Sequence, residues 1–145
     1  MARFKQRDCT KDAVALFSRF VSRHGFTYEV DDKAPVEVMW IIPSQAGLSL
    51  SLVLGLQNSD ELNFGIEEFW SYFFPFDDVA EEFEDILEKW VACDARILAV
   101  GWKGRILEVR NGDGWKIAYR ANCWFSRKVK AVIQNDRTYS NSTIT

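Results

Sequence analysis

The sequence predicts an α+β fold in which two main helices pack on one face of a curved antiparallel sheet of about six to seven strands. Two stretches repeat apolar residues at helical spacing, and seven others have the alternating or β-branched character of strands. Short turns separate most consecutive strands, which favours antiparallel pairing. With 145 residues, 48% of them hydrophobic, we predict a single domain over residues 1–134. Its order is α-ββββ-α-βββ plus a short C-terminal element, and the polar tail 135–145 is expected to be disordered.

The first helix is predicted over about residues 11–24. Thr10 suits the N-cap position, and Gly25 suits the position just after the last turn. Between them lies one apolar stripe made of Ala13, Leu16, Phe17, Phe20 and Val21. Two strands are predicted next, over residues 26–30 and 36–42, with turn-forming residues between them.

Alternating leucines predict the next strand. Every second residue from Leu48 to Leu56 is a leucine. A strand places all five on one face, whereas a helix would distribute them around its circumference. A turn over 58–60 leads to a return strand over 62–66, so we expect an antiparallel hairpin with a core face and a polar face.

The stretch 69–91 joins an aromatic segment to an acidic helix. Its aromatic residues are Phe69, Trp70, Tyr72, Phe73, Phe74 and Phe76. The helix after Pro75 combines one apolar stripe with a charged face that only Lys89 opposes: Asp77, Asp78, Glu81, Glu82, Glu84, Asp85 and Glu88. Six aromatics in eight residues cannot all point inward. Some are core residues, and we expect others to line a cavity or to contact a partner.

The C-terminal part is predicted to add strands over 97–102, 105–110 and 115–120. In the last hairpin, Leu107 and Val109 are expected to share a face with Trp115, Ile117 and Tyr119. The other face is mostly basic and contains Glu108, Arg110, Lys116 and Arg120. Residues 124–134 fit either a short helix or a strand.

Charge is segregated along the chain. Residues 60–89 contain eleven acidic residues and one lysine, whereas residues 90–145 contain ten basic and four acidic residues. The net charge of −3 therefore hides a strongly acidic segment followed by a basic one. Like charges at i,i+4 spacing on the acidic helix, such as Glu81–Asp85 and Glu84–Glu88, lower its local stability.

The sequence lacks a recognisable catalytic, metal or cofactor motif, so we expect no catalytic residue and no cofactor. His24 is the single histidine, and the three cysteines have neither metal-ligand spacing nor a disulfide pattern. The glycine-rich turns do not match a phosphate-binding loop. We recognise no signal peptide and no apolar stretch of membrane-spanning length, which predicts a cytoplasmic protein without membrane contact.

These patterns favour a non-catalytic protein-binding domain that neutralises a basic protein, as acidic immunity proteins, inhibitors and secretion chaperones do. The partner is expected to be basic, for example a toxin or a secreted effector, and a homodimer is also compatible with the segregated charge. The predicted partner-binding residues are Glu81, Glu82, Glu84, Asp85, Glu88, Trp70 and Tyr72. An alternative is a small-ligand module or enzyme with an aromatic-lined cavity near 69–76. Nucleic-acid binding by the basic hairpin is disfavoured by the acidic segment and the low pI of about 5.2.

Overall fold

The computed structural model describes residues 7–122 and 128–139. Within them the chain forms two helices and nine strands, which belong to one compact α+β domain. The predicted fold class is therefore confirmed. The strands, however, are divided between two antiparallel sheets of five and four strands, where the sequence suggested one.

The first sheet has the strand order β1-β2-β3-β4-β5. Its strands are β1 (Glu29–Val30), β2 (Val38–Ile42), β3 (Leu52–Gln57), β4 (Glu61–Ile66) and β5 (Phe69–Trp70). Leu54 pairs with Trp40 on one side and with Phe64 on the other, so the predicted hairpin is present. The even-numbered leucines of β3 are fully buried. The regular strand begins later than the leucine pattern, because Leu48 forms a tight turn with Gln45 instead.

The second sheet has the order β8-β7-β6-β9. Its strands are β6 (Ala95–Val100), β7 (Gly104–Asn111), β8 (Gly114–Ala121) and β9 (Val129–Ile133). The ambiguous segment 124–134 thus contains a strand, and residues 123–127 lie outside the described part. The 16-residue helix before β6 is about 24 Å long and carries the chain away from β5, so β6 begins a separate sheet.

A bulge in β8 changes which side chains share a face. The register between β7 and β8 shifts after Leu107, because two residues of β8 oppose one step of β7 there. Val109 consequently pairs with Lys116, and Arg110 pairs with Trp115. Our prediction that Trp115 and Ile117 share the face of Leu107 was wrong, since a one-residue shift exchanges the two faces of a strand, whereas Tyr119 pairs with Leu107 as expected.

The two helices pack on the inner faces of the sheets. Helix α1 spans Thr10–His24 and ends at Gly25, whose φ of 68° is the left-handed conformation expected there. Cys9, and not Thr10, occupies its N-cap position. Helix α2 spans Phe76–Val91 and contacts both sheets as well as α1. Its inward residues Phe83, Ile86, Leu87 and Trp90 are fully or almost fully buried.

Asn135 anchors the start of the segment that the sequence assigns to the tail. It is only 4% exposed, and its side chain accepts a hydrogen bond from the Ser49 backbone N–H at 2.8 Å. Its amide also donates to the carbonyl oxygens of Gly47 and Val91. Residues 135–139 are thus held against the loop before β3 and the end of α2, and residues 140–145 lie outside the described part.

Candidate functional site

Six of the seven acidic residues of α2 fall into two groups, and the seventh, Asp77, pairs with Arg7 at 2.6 Å at the start of the helix. Glu84 and Glu88 point towards α1, where Arg19 contacts Glu84 at 2.9 Å and His24 contacts Glu88 at 2.8 Å. Arg23 lies between them and pairs with both carboxylates. The hydrogen bond from Arg19, opposed by partial burial, lowers the pKa of Glu84 below its ordinary value. Two of the predicted partner-binding residues therefore take part in the contact between the helices.

These contacts supply Glu84 and Glu88 with compensating charge from outside α2. In the structure the cations that pair with Glu84 and Glu88 come from α1. A helix face that appeared to lack arginine partners in its own sequence obtains them from a helix about 65 residues earlier.

The second group remains on the surface, and we call it the acidic stripe: Asp78, Glu81, Glu82 and Asp85. All four are exposed, and their i, i+3, i+4 and i+7 spacing places them along one side of α2. Lys89 pairs with Asp85 at 3.0 Å. Among the described residues no cation forms an ion pair with the other three carboxylates.

A groove of about 280 Å³ separates the acidic stripe from the β7–β8 hairpin. Glu82, Asp85 and Lys89 lie on its helix side. Arg110 and Lys116 lie on the opposite side. Lys116 reaches this position because the bulge in β8 turns it to the inner side of the sheet. The groove therefore has one acidic and one basic wall, and the acidic stripe continues beyond it along the helix.

The predicted aromatic residues lie on a different surface from the acidic stripe. Phe69 and Phe73 are buried on the inner face of the first sheet, where the Phe73 ring lies 5.7 Å from Phe83 of α2. Because successive residues of an extended segment point to opposite faces, Trp70 and Tyr72 point to the outer face, away from α2. The predicted combination of acidic helix and aromatic residues is therefore two separate surfaces.

Trp70 and Tyr72 border an open cleft of about 420 Å³ between the edges of the two sheets, which we call the sheet-edge cleft. Its lining residues are Glu68, Trp70, Tyr72, Lys103, Arg105, Tyr119, Arg120, Ala121 and Asn122. The alternative hypothesis expected an aromatic-lined cavity near residues 69–76. The cleft contains Trp70 and Tyr72, as that hypothesis expected. It is open, however, and its lining also includes three cations.

The described cysteines and the histidine, which could act as nucleophiles or metal ligands, have structural contacts within the fold. Cys9 is buried, and desolvation raises the pKa of its thiol. The Cys93 thiol donates to the Asn135 carbonyl oxygen at 3.0 Å, and His24 stacks on Phe26. Within residues 7–122 and 128–139, no three His, Cys, Asp or Glu side chains are grouped closely enough to hold a metal ion. Cys123 lies outside the described residues.

Comparison with protein-family models, with curated proteins and with solved structures finds no match to this chain. The function is therefore inferred from the surfaces of the chain itself. In the part of the chain that the structure describes, neither helix has the length and apolar character needed to cross a membrane.

Proposed function

We propose that this protein is a non-catalytic binding domain whose acidic stripe docks onto a basic protein and neutralises it. A cytoplasmic inhibitor or immunity-type protein, or a chaperone-like protein, that holds a toxin or a secreted effector has this property. The observation that carries the proposal is the division of the carboxylates on α2. Those facing α1 have partners within the fold, whereas the stripe has one lysine for four carboxylates.

The energetics of the helix support this proposal. Asp78–Glu82 and Glu81–Asp85 are like-charge pairs at i,i+4 spacing, and each lowers helix stability by roughly 0.2–0.5 kcal/mol. Asp78 in the first turn is favourable to the helix dipole and Asp85 pairs with Lys89, but Glu81 and Glu82 form no ion pair with the residues described. A basic partner converts the same repulsion into attraction, and complementary charge increases both the rate of encounter and the selectivity between partners. The stripe is therefore better explained by binding than by folding.

The proposal is tested by reversing three charges of the stripe, Glu81→Lys, Glu82→Lys and Asp85→Lys, in one variant. These side chains are exposed, so circular dichroism and thermal unfolding should show an intact domain. The immobilised wild-type domain is incubated with lysate of the source cells, and retained proteins are identified and quantified at about 50 and 500 mM salt. We expect one stoichiometric basic protein that the reversed variant fails to retain and that salt releases.

A matched control carries the same change in net charge at a distant place. Glu29→Lys, Asp32→Lys and Glu37→Lys alter three exposed carboxylates near the opposite edge of the first sheet. This control should retain the partner as well as the wild type does. Capture that is undiminished in the stripe variant, capture lost equally in both variants, or the absence of any basic protein on the wild type would each refute the proposal.

A further inference from the structure

We propose that the sheet-edge cleft is a second binding site, in which an extended acidic peptide adds as a strand to the edge of the first sheet at β5. This proposal is independent of the acidic stripe, because the two surfaces lie on opposite sides of the sheet and carry opposite charge. It assigns a role to Trp70 and Tyr72, whose side chains point away from α2 and so cannot contact the same partner surface as the acidic stripe. Three features of the cleft lead to it.

The first feature is an edge with free backbone groups. The segment after β5 continues alongside β4: the Ser71 N–H donates to the Phe64 carbonyl oxygen at 3.1 Å, and Phe73 and Leu62 exchange two backbone hydrogen bonds of 2.8 Å. In an antiparallel pair the alternate residues direct their N–H and C=O groups away from the partner strand. The backbone of Tyr72 therefore points to the open side of the sheet, and no described residue bonds to it.

The second feature is an aromatic wall. Tyr72 is 43% exposed, and Trp70 is partly exposed beside it on the outer face. Tyr119 reaches the cleft from β8, with its ring 5.3 Å from the Phe73 ring, so the rings of the two sheets are in contact there. Aromatic side chains at such an edge supply contact area at low entropic cost and select the side chains of an added strand.

The third feature is positive charge. Lys103, Arg105 and Arg120 line the cleft, and Glu68 is its one carboxylate. Glu68 pairs with Arg105 at 2.8 Å, which leaves an excess of two positive charges. A carboxylate entering the cleft would meet this excess of positive charge.

Cations and aromatic rings together also occur in sites for single-stranded nucleic acid, where bases stack on the rings. The backbone of the segment 70–72 favours a peptide here. Strand addition uses alternating N–H and C=O groups of an edge, and a nucleotide strand has no matching backbone pattern. The expected occupant is therefore an acidic peptide segment of a partner protein, and the alternative to be tested is an oligonucleotide.

The test measures the fluorescence anisotropy of labelled probes. The main probe is an eight-residue peptide of alternating valine and glutamate. The comparison probes are the same peptide with lysine in place of glutamate, and an oligothymidylate of eight nucleotides. We expect saturable binding of the glutamate peptide alone. Equal or stronger binding of the oligothymidylate, or no binding of the glutamate peptide, would overturn the proposal.

Strand addition is tested separately from charge by modifying the probe. N-methylation of alternate amides removes the donors along one edge of the peptide, and two such peptides cover its two edges. Only one edge can face β5, so one methylated peptide should lose binding while the other retains it. Equal affinity of the two methylated peptides would refute strand addition without any question of protein folding.

The cleft is located with a charge reversal and a matched control. Arg120→Glu changes an exposed side chain of the cleft, and Lys130→Glu makes the same change on β9, at the opposite edge of the second sheet. We expect Arg120→Glu to weaken the glutamate peptide by roughly tenfold and Lys130→Glu to leave its affinity unchanged. Equal losses in both variants would show non-specific attraction and would overturn the assignment to this cleft.

Discussion

The wall of the sheet-edge cleft depends on a contact between Trp70 and a glycine of the neighbouring strand. Gly65 pairs with Trp70 across β4 and β5. A Cβ atom at Gly65 would lie 2.5 Å and 2.7 Å from two ring atoms of Trp70, whereas ordinary contacts begin at 3.4 Å. The substitution Gly65→Ala therefore forces the ring to move by about 1 Å. Overpacking of this kind lowers the free energy of unfolding by roughly 1–3 kcal/mol.

The cost of Gly65→Ala should disappear when the indole is removed. The φ of Gly65 lies outside the left-handed region, so alanine fits the backbone, and it reduces the entropy of the unfolded chain. In a Trp70→Ala background we therefore expect Gly65→Ala to be neutral or to stabilise by up to about 1 kcal/mol. The double-mutant cycle should give a coupling free energy of at least about 1 kcal/mol.

Urea unfolding of the four proteins, followed by circular dichroism, measures this coupling. Gly55→Ala is the matched control in the same sheet, because its Cβ would approach Asn63 and the Val38 carbonyl oxygen, and not Trp70. Its cost should be the same with and without the indole. If Gly65→Ala costs the same in both backgrounds, the Trp70 ring does not pack over β4, and the geometry assigned to the cleft wall is wrong.

Two further predictions concern stability. Glu84→Gln should lower the free energy of unfolding at pH 7 by about 1 kcal/mol, because two ion pairs with α1 are lost, whereas Glu81→Gln should be within about 0.5 kcal/mol of the wild type. The folded-state pKa of Glu84 is lowered, so the stabilisation by its carboxylate is present above the ordinary pKa of 4.5 and is lost as the pH falls through the lower folded-state value. The unfolding free energies of the wild type and of Glu84→Gln should therefore converge in acid. Asn135→Ala should cost roughly 2–4 kcal/mol in chemical denaturation because it leaves buried backbone groups without partners, and a cost under about 0.5 kcal/mol would show that the anchor is dispensable.

The fold was predictable in the segments where the spacing of apolar residues shows which face is buried. The leucines of β3 and the apolar stripes of both helices were assigned correctly, because each pattern matches one geometry only. The division into two sheets was not predictable, since it depends on the position of α2 between them. The anchor at Asn135 gave no signal either, because a polar residue in a polar segment looks the same whether it is exposed or bonded to a distant loop.

The residues of the acidic stripe were predictable, but the partners of the other carboxylates and the cations of the sheet-edge cleft were not. The acidic stripe is visible in the helical spacing of Glu81, Glu82 and Asp85. The ion pairs of Glu84 require a cation about 65 residues away, and sequence spacing cannot show such a contact. Lys103, Arg105 and Arg120 were missed as cleft residues. The alternation within 69–73 puts Trp70 and Tyr72 on the face opposite the core, but it does not show which cations lie beside them.

The opposite charges of the two surfaces raise the question of whether copies of the chain bind one another. A stripe-to-cleft contact would be head-to-tail, and such contacts form open chains unless the rotation closes a ring. The stripe belongs to a helix, whose backbone groups are already bonded, so it cannot supply the strand that the free edge at Tyr72 requires. We therefore expect a monomer in sedimentation velocity at about 50 mM salt. Growth in mass with protein concentration that both the stripe reversal and Arg120→Glu abolish would show instead that the two surfaces recognise each other.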